Sequence, residues 1–347
     1  MADRLLARLV SAPDAATRAK LSPIPWPEGR APAPYLAMSY AAADQPLSTL
    51  KLRNPVMIVT WTAAEWQALR DVLGVGNDQF DYAHSFDTFA PELTEKSPAA
   101  AAKCLARFAV VTAPAHDDQP ERDVLLVHSM LHLATDSNSL PLRRLFHQMI
   151  NEVNPERIIT TGTAGGIGAT KELGDVVVGS RCRFNCAKTF ADAPWAHTHF
   201  DTTLPAAFTG DEIGPLLEVN AVHLPRTTPP KIWLGQDIET TDFFAFDESD
   251  DRFGLEAYDP GAGAVEMDDA VLGLVMVDRA GAGLEAPPLW AAVRNVSDPD
   301  ANLAAYGGDR RVAAEAMAKI YAEFGYWTSV PSAIVSWLMA TGSLSLS

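Results

Sequence analysis

The stretch ERIITTGTAGG, residues 156–166, decides the fold. Its first half is apolar and β-branched and its second half is glycine-rich. It reads as a strand running into a turn at Gly162, Gly165 and Gly166, where the backbone can approach a ligand closely. Before it stands LPLRRLFHQMINEVNP (140–155), apolar at helical spacing, with Pro155 just beyond its end. Outward from this pair the alternation continues. NPVMIVT (54–60) is a strand, and AAEWQALRDVLG (63–74) is a helix closed by Gly74. ARFAVVTA (106–113) and RDVLLVHSM (122–130) are strands joined by the turn PAHDDQPE, while residues 75–103 are polar and Ala-rich, a loop with a short helix. DVVVGS (175–180), PPKIWLGQ (229–236) and PLWAAVRNVSDPD (288–300) read as strands. VEMDDAVLGLVMVDRAG (265–281) reads as a helix after a short strand, and 307–325 and 330–342 as two more helices, the first ended by Gly325. Such alternation predicts the α/β class: a single domain with a central mixed, partly parallel β-sheet flanked by helices.

The domain is expected to span 54–347, with an insertion-rich region at 181–230. Residues 1–53 are expected to form an N-terminal helix and a Pro-rich arm, SPIPWPEGRAPAPY (22–35), able to strap across a partner subunit. Lysine and arginine total 27 against 44 acids, a net charge of −17, which disfavours nucleic acid and anionic membrane as partners. No apolar run reaches membrane length and the N-terminus has no long apolar core, so neither a transmembrane helix nor a signal peptide is supported, and a cytoplasmic location is expected. Three cysteines do not make a disulfide framework. Cys182 and Cys186, with His197 and His199 beyond, are too loosely spaced to read as a zinc site, and no metal is expected.

Four clusters carry the chemistry, each with a plain reading beside it. TTGTAGGIG (160–168) fits neither the dinucleotide pattern G-x-G-x-x-G nor a phosphate-binding G-K-[ST], so no cofactor is expected, and by itself it is a tight turn. RNVSDPD (294–300) delivers Ser297 and Asp298 to the carboxyl end of a strand, where α/β sheets place ligands; a Ser-Asp pair is also a common cap. GAVEMDDAVLG (263–273) sets Glu266, Asp268 and Asp269 in an otherwise apolar run; at a helix start, acids are favoured by the free backbone N–H groups. Glu65 opens the helix after the first strand, and the same plain reading applies to it.

Taken in order, the strand–helix acid, TGTAGG with LGDVVV, TTDFF, VEMDD and VRNVSDP resemble the nucleoside phosphorylase and nucleosidase superfamily, from about residue 54 to about 340. Within it they look most like the hydrolytic branch typified by methylthioadenosine/S-adenosylhomocysteine nucleosidases. That resemblance implies a nucleoside phosphorylase-like fold that binds a small-molecule nucleoside and hydrolyses the N-glycosidic bond of a purine nucleoside. It implies Asp298 as the acid that protonates purine N7, oriented by Ser297, and Glu65 as the base that activates water, with Arg294 as its partner. It implies Glu266, Met267 and Asp268 at the ribose floor, Phe244 stacked on the base, and Ser129, Thr163, Ala164 and Gly165 around the substrate. It also implies a homo-oligomer, a dimer. Asp268 is one methylene shorter than the family's glutamate, and HSMLHLATDSNS (128–139) replaces the family's glycine-rich SGIGK-like loop, so that His132, Asp136 and Asn138 can make new contacts. Two other functions stay open: a phosphate-dependent purine nucleoside phosphorylase, and a non-catalytic nucleoside-binding protein. Against the first, Thr160 occupies the position of a phosphate-binding arginine, and Glu65 would repel phosphate.

Overall fold

Strand β2 (Val56–Thr60) is apolar at consecutive positions, and a strand written that way must be covered on both faces. Met57 and Val59 join a core with Leu125, Val127, Phe146 and Val275, while Val56 and Ile58 join a second core with Leu69, Leu126, Ile334 and Trp337. The two cores are the two sides of a helix–sheet–helix sandwich. Helices α4 (Pro141–Val153) and α6 (Asp269–Gly281) cover one face, and α2 (Ala63–Val72) and α7 (Arg310–Thr341) cover the other. This computed structural model describes residues 9–35, 45–75, 80–82, 90–117, 119–206, 208, 210–245, 258–259, 261–284, 286–299 and 303–342. Residues 1–8 of the expected N-terminal helix, and 76–79 and 83–89 of the expected loop, lie outside them.

The remaining strands are β1 (Ala33–Pro34), β3 (Phe80–Tyr82), β4 (Ala106–Ala113), β5 (Arg122–Ser129), β6 (Arg157–Gly166), β7 (Val176–Phe184), β8 (His199–Asp201), β9 (Ile232–Thr240), β10 (Ala262–Glu266) and β11 (Leu289–Asp298). They form one mixed sheet in the order β1-β4-β5-β2-β6-β10-β9-β7-β11, with β3 on β4 and β8 on β7. β11 also returns to pair with β6, so β6, β10, β9, β7 and β11 close into a ring. The β2–β5, β2–β6, β6–β11, β7–β9 and β9–β10 pairs are parallel; the others are antiparallel.

β6 is the branch point. One edge pairs with β11 from Arg157 to Gly165. The opposite edge pairs with β2 over residues 157–160 and with β10 only at Gly165 and Gly166. Between them, residues 161–164 have no strand on that edge. A crevice opens where β2 and β10 part, at the carboxyl end of β2, which is where open α/β sheets hold ligands.

The C-terminal helices differ from the sequence reading. The two last helices are one, α7, of 32 residues with Pro331 inside. Gly325 is not its end: a Cβ there would sit 3.2 Å from the Tyr321 ring, and the Thr328 and Ser329 hydroxyls donate to the Gly325 carbonyl. Residues 325–341 are buried without a break, so tertiary packing holds the helix through a proline that would stop an exposed one. Even so, no helix among the described residues is long and apolar enough to cross a membrane. Region 181–230 contributes the end of β7, β8, and helix α5 (Gly210–Glu218). The Pro-rich arm lies along its own chain. Before it, short helix α1 (Ala15–Arg18) docks through Arg18, which makes a bidentate pair with Asp71; Ser22 and Asn220 exchange two hydrogen bonds; and Trp337 Nε1 donates to the Arg30 carbonyl at 2.7 Å. Ala33 and Pro34 then cap the β4 edge as β1.

Arg157, at the start of β6, is buried and donates from Nη1 to the carbonyls of Met339, Ala340 and Gly342 at the end of α7. A cation on a helix C-terminus meets both the free carbonyls and the helix dipole. Replacing it by methionine, of similar reach and no donors, is expected to lower unfolding free energy by about 1–3 kcal/mol. Urea denaturation reads this as a lower midpoint at unchanged slope; an unchanged midpoint would remove Arg157 from the account of how β6 and α7 are held together.

Candidate active site

The site is built from the gap in β6. Helix α2 begins with a capping box: Thr62 Oγ1 accepts from the Glu65 N–H at 3.3 Å, and Glu65 Oε2 accepts from the N–H groups of Trp61 and Thr62, both at 2.9 Å. The other carboxylate oxygen, Oε1, accepts from the Thr163 N–H at 2.7 Å and the Thr163 hydroxyl at 2.6 Å. Glu65 therefore caps its own helix and fills the vacant edge of β6 at once. Gly162 makes room: a Cβ there would lie 2.5 Å from the Glu65 carboxyl carbon. Tyr321 of α7 closes this corner by donating to Thr62 Oγ1 at 3.0 Å.

β10 ends at Glu266, and α6 starts three residues on. Glu266 turns back onto the free N–H groups of that helix, accepting from Asp268 N at 2.5 Å and Asp269 N at 3.0 Å, and from the Thr240 hydroxyl. Arg294, from β11, holds Asp269 in a bidentate pair, reaches Glu266 Oε2 at 3.2 Å, and lies 4.9 Å from the centroid of the Trp61 ring. Burial opposes the Arg294 charge, but Asp269 and Glu266, with Glu65 behind them, leave its pKa above that of free arginine. Burial and then the Asp269 charge push Glu266 up to about 7, against the pull of Arg294.

Asp268 faces a different neighbour. Its Oδ1 accepts from Leu133 N at 2.9 Å, and its Oδ2 lies 3.2 Å from His132 Nε2. Burial, then Glu266, raises its pKa well above the usual carboxylate range. Burial, then the Arg294 charge, lowers His132 to about 3, which keeps the imidazole neutral. The loop that carries His132 is pinned in turn. Asp136 accepts from the His132 N–H at 2.6 Å, and its own carboxyl is pushed up to about 7 by burial.

On the far side, the pairing of β11 with β6 shifts register between Val296 and Asp298. Such a bulge re-aims side chains at a strand end. Ser297 Oγ lies 2.9 Å from Asp298 Oδ2 and 3.3 Å from the Ala164 carbonyl.

These elements enclose one cleft with about 580 Å³ of empty space, open in part to solvent. Of the residues singled out from the sequence, Glu65, Thr163, Ala164, Gly165, Phe244, Glu266, Met267, Asp268, Arg294, Ser297 and Asp298 all line it. Ser129 does not: its hydroxyl donates to the Leu131 carbonyl and accepts from the Leu131 N–H, so it shapes the loop after β5 from below. Sequence reasoning gave no role to Asp269, Trp61, Thr62 or Tyr321. Asp269 stood in the quoted acidic run, but its spacing gives no sign of which acid meets Arg294; Tyr321 comes from the middle of a helix, 259 residues beyond its partner Thr62, with no local signal. Arg294 is the sole lysine or arginine among the described residues lining the cleft, and both its acid partners are within it or behind it. The larger groove beneath the arm, lined by Pro23, Pro32 and Val111, has Asp71 as its one carboxylic acid among the described residues, and that carboxylate is taken by Arg18. Among the described residues no group of three or more His, Cys, Asp or Glu is placed to hold a metal ion, and Cys182 and Cys186 are buried free thiols.

No protein-family model matches the chain, and no curated protein matches it. Among solved structures it is similar to the 5′-methylthioadenosine/S-adenosylhomocysteine nucleosidase of Helicobacter pylori, at 14% identity over 82% of this chain and 97% of that one, with a TM-score of 0.47. It is similar to the Neisseria meningitidis enzyme of the same name, at 18% identity over 79% and 100%, with a TM-score of 0.43. It is also similar to the futalosine hydrolase of Helicobacter pylori, at 14% identity over 82% and 96%, with a TM-score of 0.47. At these identities and TM-scores the likeness carries no argument about activity.

The close approach of Gly162 to Glu65 generates a coupled prediction. Gly162→Ala is expected to destabilise the protein by about 1–3 kcal/mol, the usual scale of overpacking. In a Glu65→Ala background, where the colliding carboxyl is gone, the same change is expected to do much less, a coupling of at least ~0.5 kcal/mol. Denaturation of the two single variants and the double variant measures it; strictly additive effects would contradict the contact.

Proposed function

We propose that this cleft hydrolyses the N-glycosidic bond of a purine nucleoside, giving free base and sugar. The observation that carries the proposal is the presence of carboxyl groups from two sides, Glu65 on α2 and Asp298 on β11, in one cleft whose only lysine or arginine among the described residues is already ion-paired. Breaking an N-glycosidic bond leaves positive charge on the sugar and negative charge on the departing base. Asp298, held by Ser297, donates a proton to the base at N7 and so neutralises the leaving group. Phe244 supplies a face for the base and Met267 an apolar floor. The carboxyl groups of Glu65 and Glu266, which both line the cleft, favour the oxocarbenium-like sugar.

Glu65 is the base for the attacking water. Three of its four donors are backbone N–H groups and cannot leave; the fourth, the Thr163 hydroxyl, rotates. Water enters where that hydroxyl now donates, so Thr163 is the gate to the base. Arg294 fixes the acids against Trp61 and has no free charge for phosphate. A phosphate dianion beside the Glu65 carboxylate would meet repulsion, which favours hydrolysis over phosphorolysis.

Release of free base from 6-aminopurine nucleosides in phosphate-free buffer, followed by chromatography, tests the activity. Asp298→Asn keeps the shape and is expected to lower kcat by ~10²–10⁴-fold with a smaller change in KM. Wild-type turnover by that variant, or base release only when phosphate is added, would overturn the reading.

A further inference from the structure

The expected holders of the sugar hydroxyls are already occupied. Glu266 has both oxygens filled by its own helix, Thr240 and Arg294. Asp268 has Leu133 N on one oxygen and His132 on the other. Among the described residues lining the cleft, two buried side-chain nitrogens have no hydrogen-bond partner, Trp61 Nε1 and His132 Nδ1, and of these two residues only His132 meets the Asp268 carboxyl. We propose that His132, steadied by Asp268, is the residue that receives a sugar hydroxyl, and that this contact selects substrates carrying that hydroxyl. The assignment rests on the glycosidase reading and adds a binding residue to it.

The chemistry of the ligand follows from the pair. If His132 Nε2–H donates to the Asp268 carboxylate, Nδ1 is an acceptor. If Asp268 holds the proton and donates it to Nε2, Nδ1 carries hydrogen and is a donor. An alcohol both donates and accepts, so a hydroxyl satisfies Nδ1 in either arrangement, whereas a carboxylate or phosphate, which only accepts, satisfies one. The neutral imidazole offers no charge that would draw an anion instead. The surrounding loop is built to hold the ring still. Asp136 takes the His132 N–H, Leu133 N is tied to Asp268, and the N–H groups of Thr135 and Asp136 donate to the His132 carbonyl. A buried polar atom left unmatched is destabilising, so a ligand that supplies the partner gains affinity at this point. The imidazole also offsets the shortness of Asp268: it extends the reach of a carboxyl that stops one methylene early.

The test compares kcat/KM for adenosine, 2′-deoxyadenosine and 3′-deoxyadenosine in the wild type, His132→Leu and His132→Asn. The intrinsic lability of 2′-deoxynucleosides cancels when each adenosine-to-deoxy ratio is compared between proteins. For at least one deoxynucleoside, that ratio is expected to fall by ~10–100-fold in His132→Leu, the scale of a lost hydroxyl contact to a buried group. His132→Asn, which keeps a polar atom near the place of Nδ1, is expected to fall between, and serves if the leucine variant does not fold. A ratio unchanged for both deoxynucleosides in a folded variant overturns the assignment. Base release from all three nucleosides without hydroxyl discrimination removes only His132; no base release from any of them removes the glycosidase reading and His132 with it.

Discussion

Between Thr160, where β6 leaves β2, and Gly165, where it meets β10, one edge of β6 has no strand beside it, and the Glu65 carboxylate stands in for the missing neighbour. A buried backbone N–H must find a partner, and here the partner is a side chain that is itself fixed by a capping box. That single contact joins the start of α2 to the glycine-rich end of β6. It explains why Gly162 has no side chain, why the sheet opens at this place, and why an acid faces the cleft in a fixed orientation. Val265, Glu266, Met267 and Asp268, with Arg294, Ser297 and Asp298, come from β10 and β11, which pair directly with β6, or from the residues that follow β10, so their positions depend on the same branch.

The acidic run that opens α6 divides its labour by geometry. Glu266 folds back to cap the helix, Asp269 holds Arg294, and Asp268 turns away to the loop after β5. One guanidinium among so many carboxyl groups cannot neutralise them all in a dry site. Burial first, and then the charge of a neighbouring carboxylate, raises the pKa values of Glu266 and Asp268. The surplus of carboxyl groups is what a developing cation on a sugar ring would meet, and it disfavours an incoming anion. Structure and proposed chemistry thus share one electrostatic cause.

The longer strands and most of the helices were legible because their apolar periods are clean, whereas the short strands β1, β3 and β8 were not read: 106–113 is a strand as read, and 141–153 and 63–72 are helices within two residues of expectation. The failures have physical reasons. Gly325 and Pro331 look like a helix end, yet packing of Tyr321 against Gly325 and continuous burial carry α7 through both. The arm's contacts within its own chain were not legible, because its anchors on Asp71, Asn220 and Trp337 are far away in sequence. In the cleft, the residues read from short motifs came together; Ser129 did not, because its hydroxyl is satisfied by its own loop. What the motifs could not carry is pairing, since nothing local says that Arg294 meets Asp269 or that His132 meets Asp268.

The central claim is that the acids of this cleft are arranged to favour positive charge on a sugar ring. The most direct measurement is the affinity, by titration calorimetry at neutral pH, of a nucleoside analogue whose sugar ring carries a protonated nitrogen, beside its uncharged isostere. The account predicts that the cation binds at least ~10²-fold more tightly, as expected for a mimic of the transition state. Equal or weaker binding of the cation would contradict it.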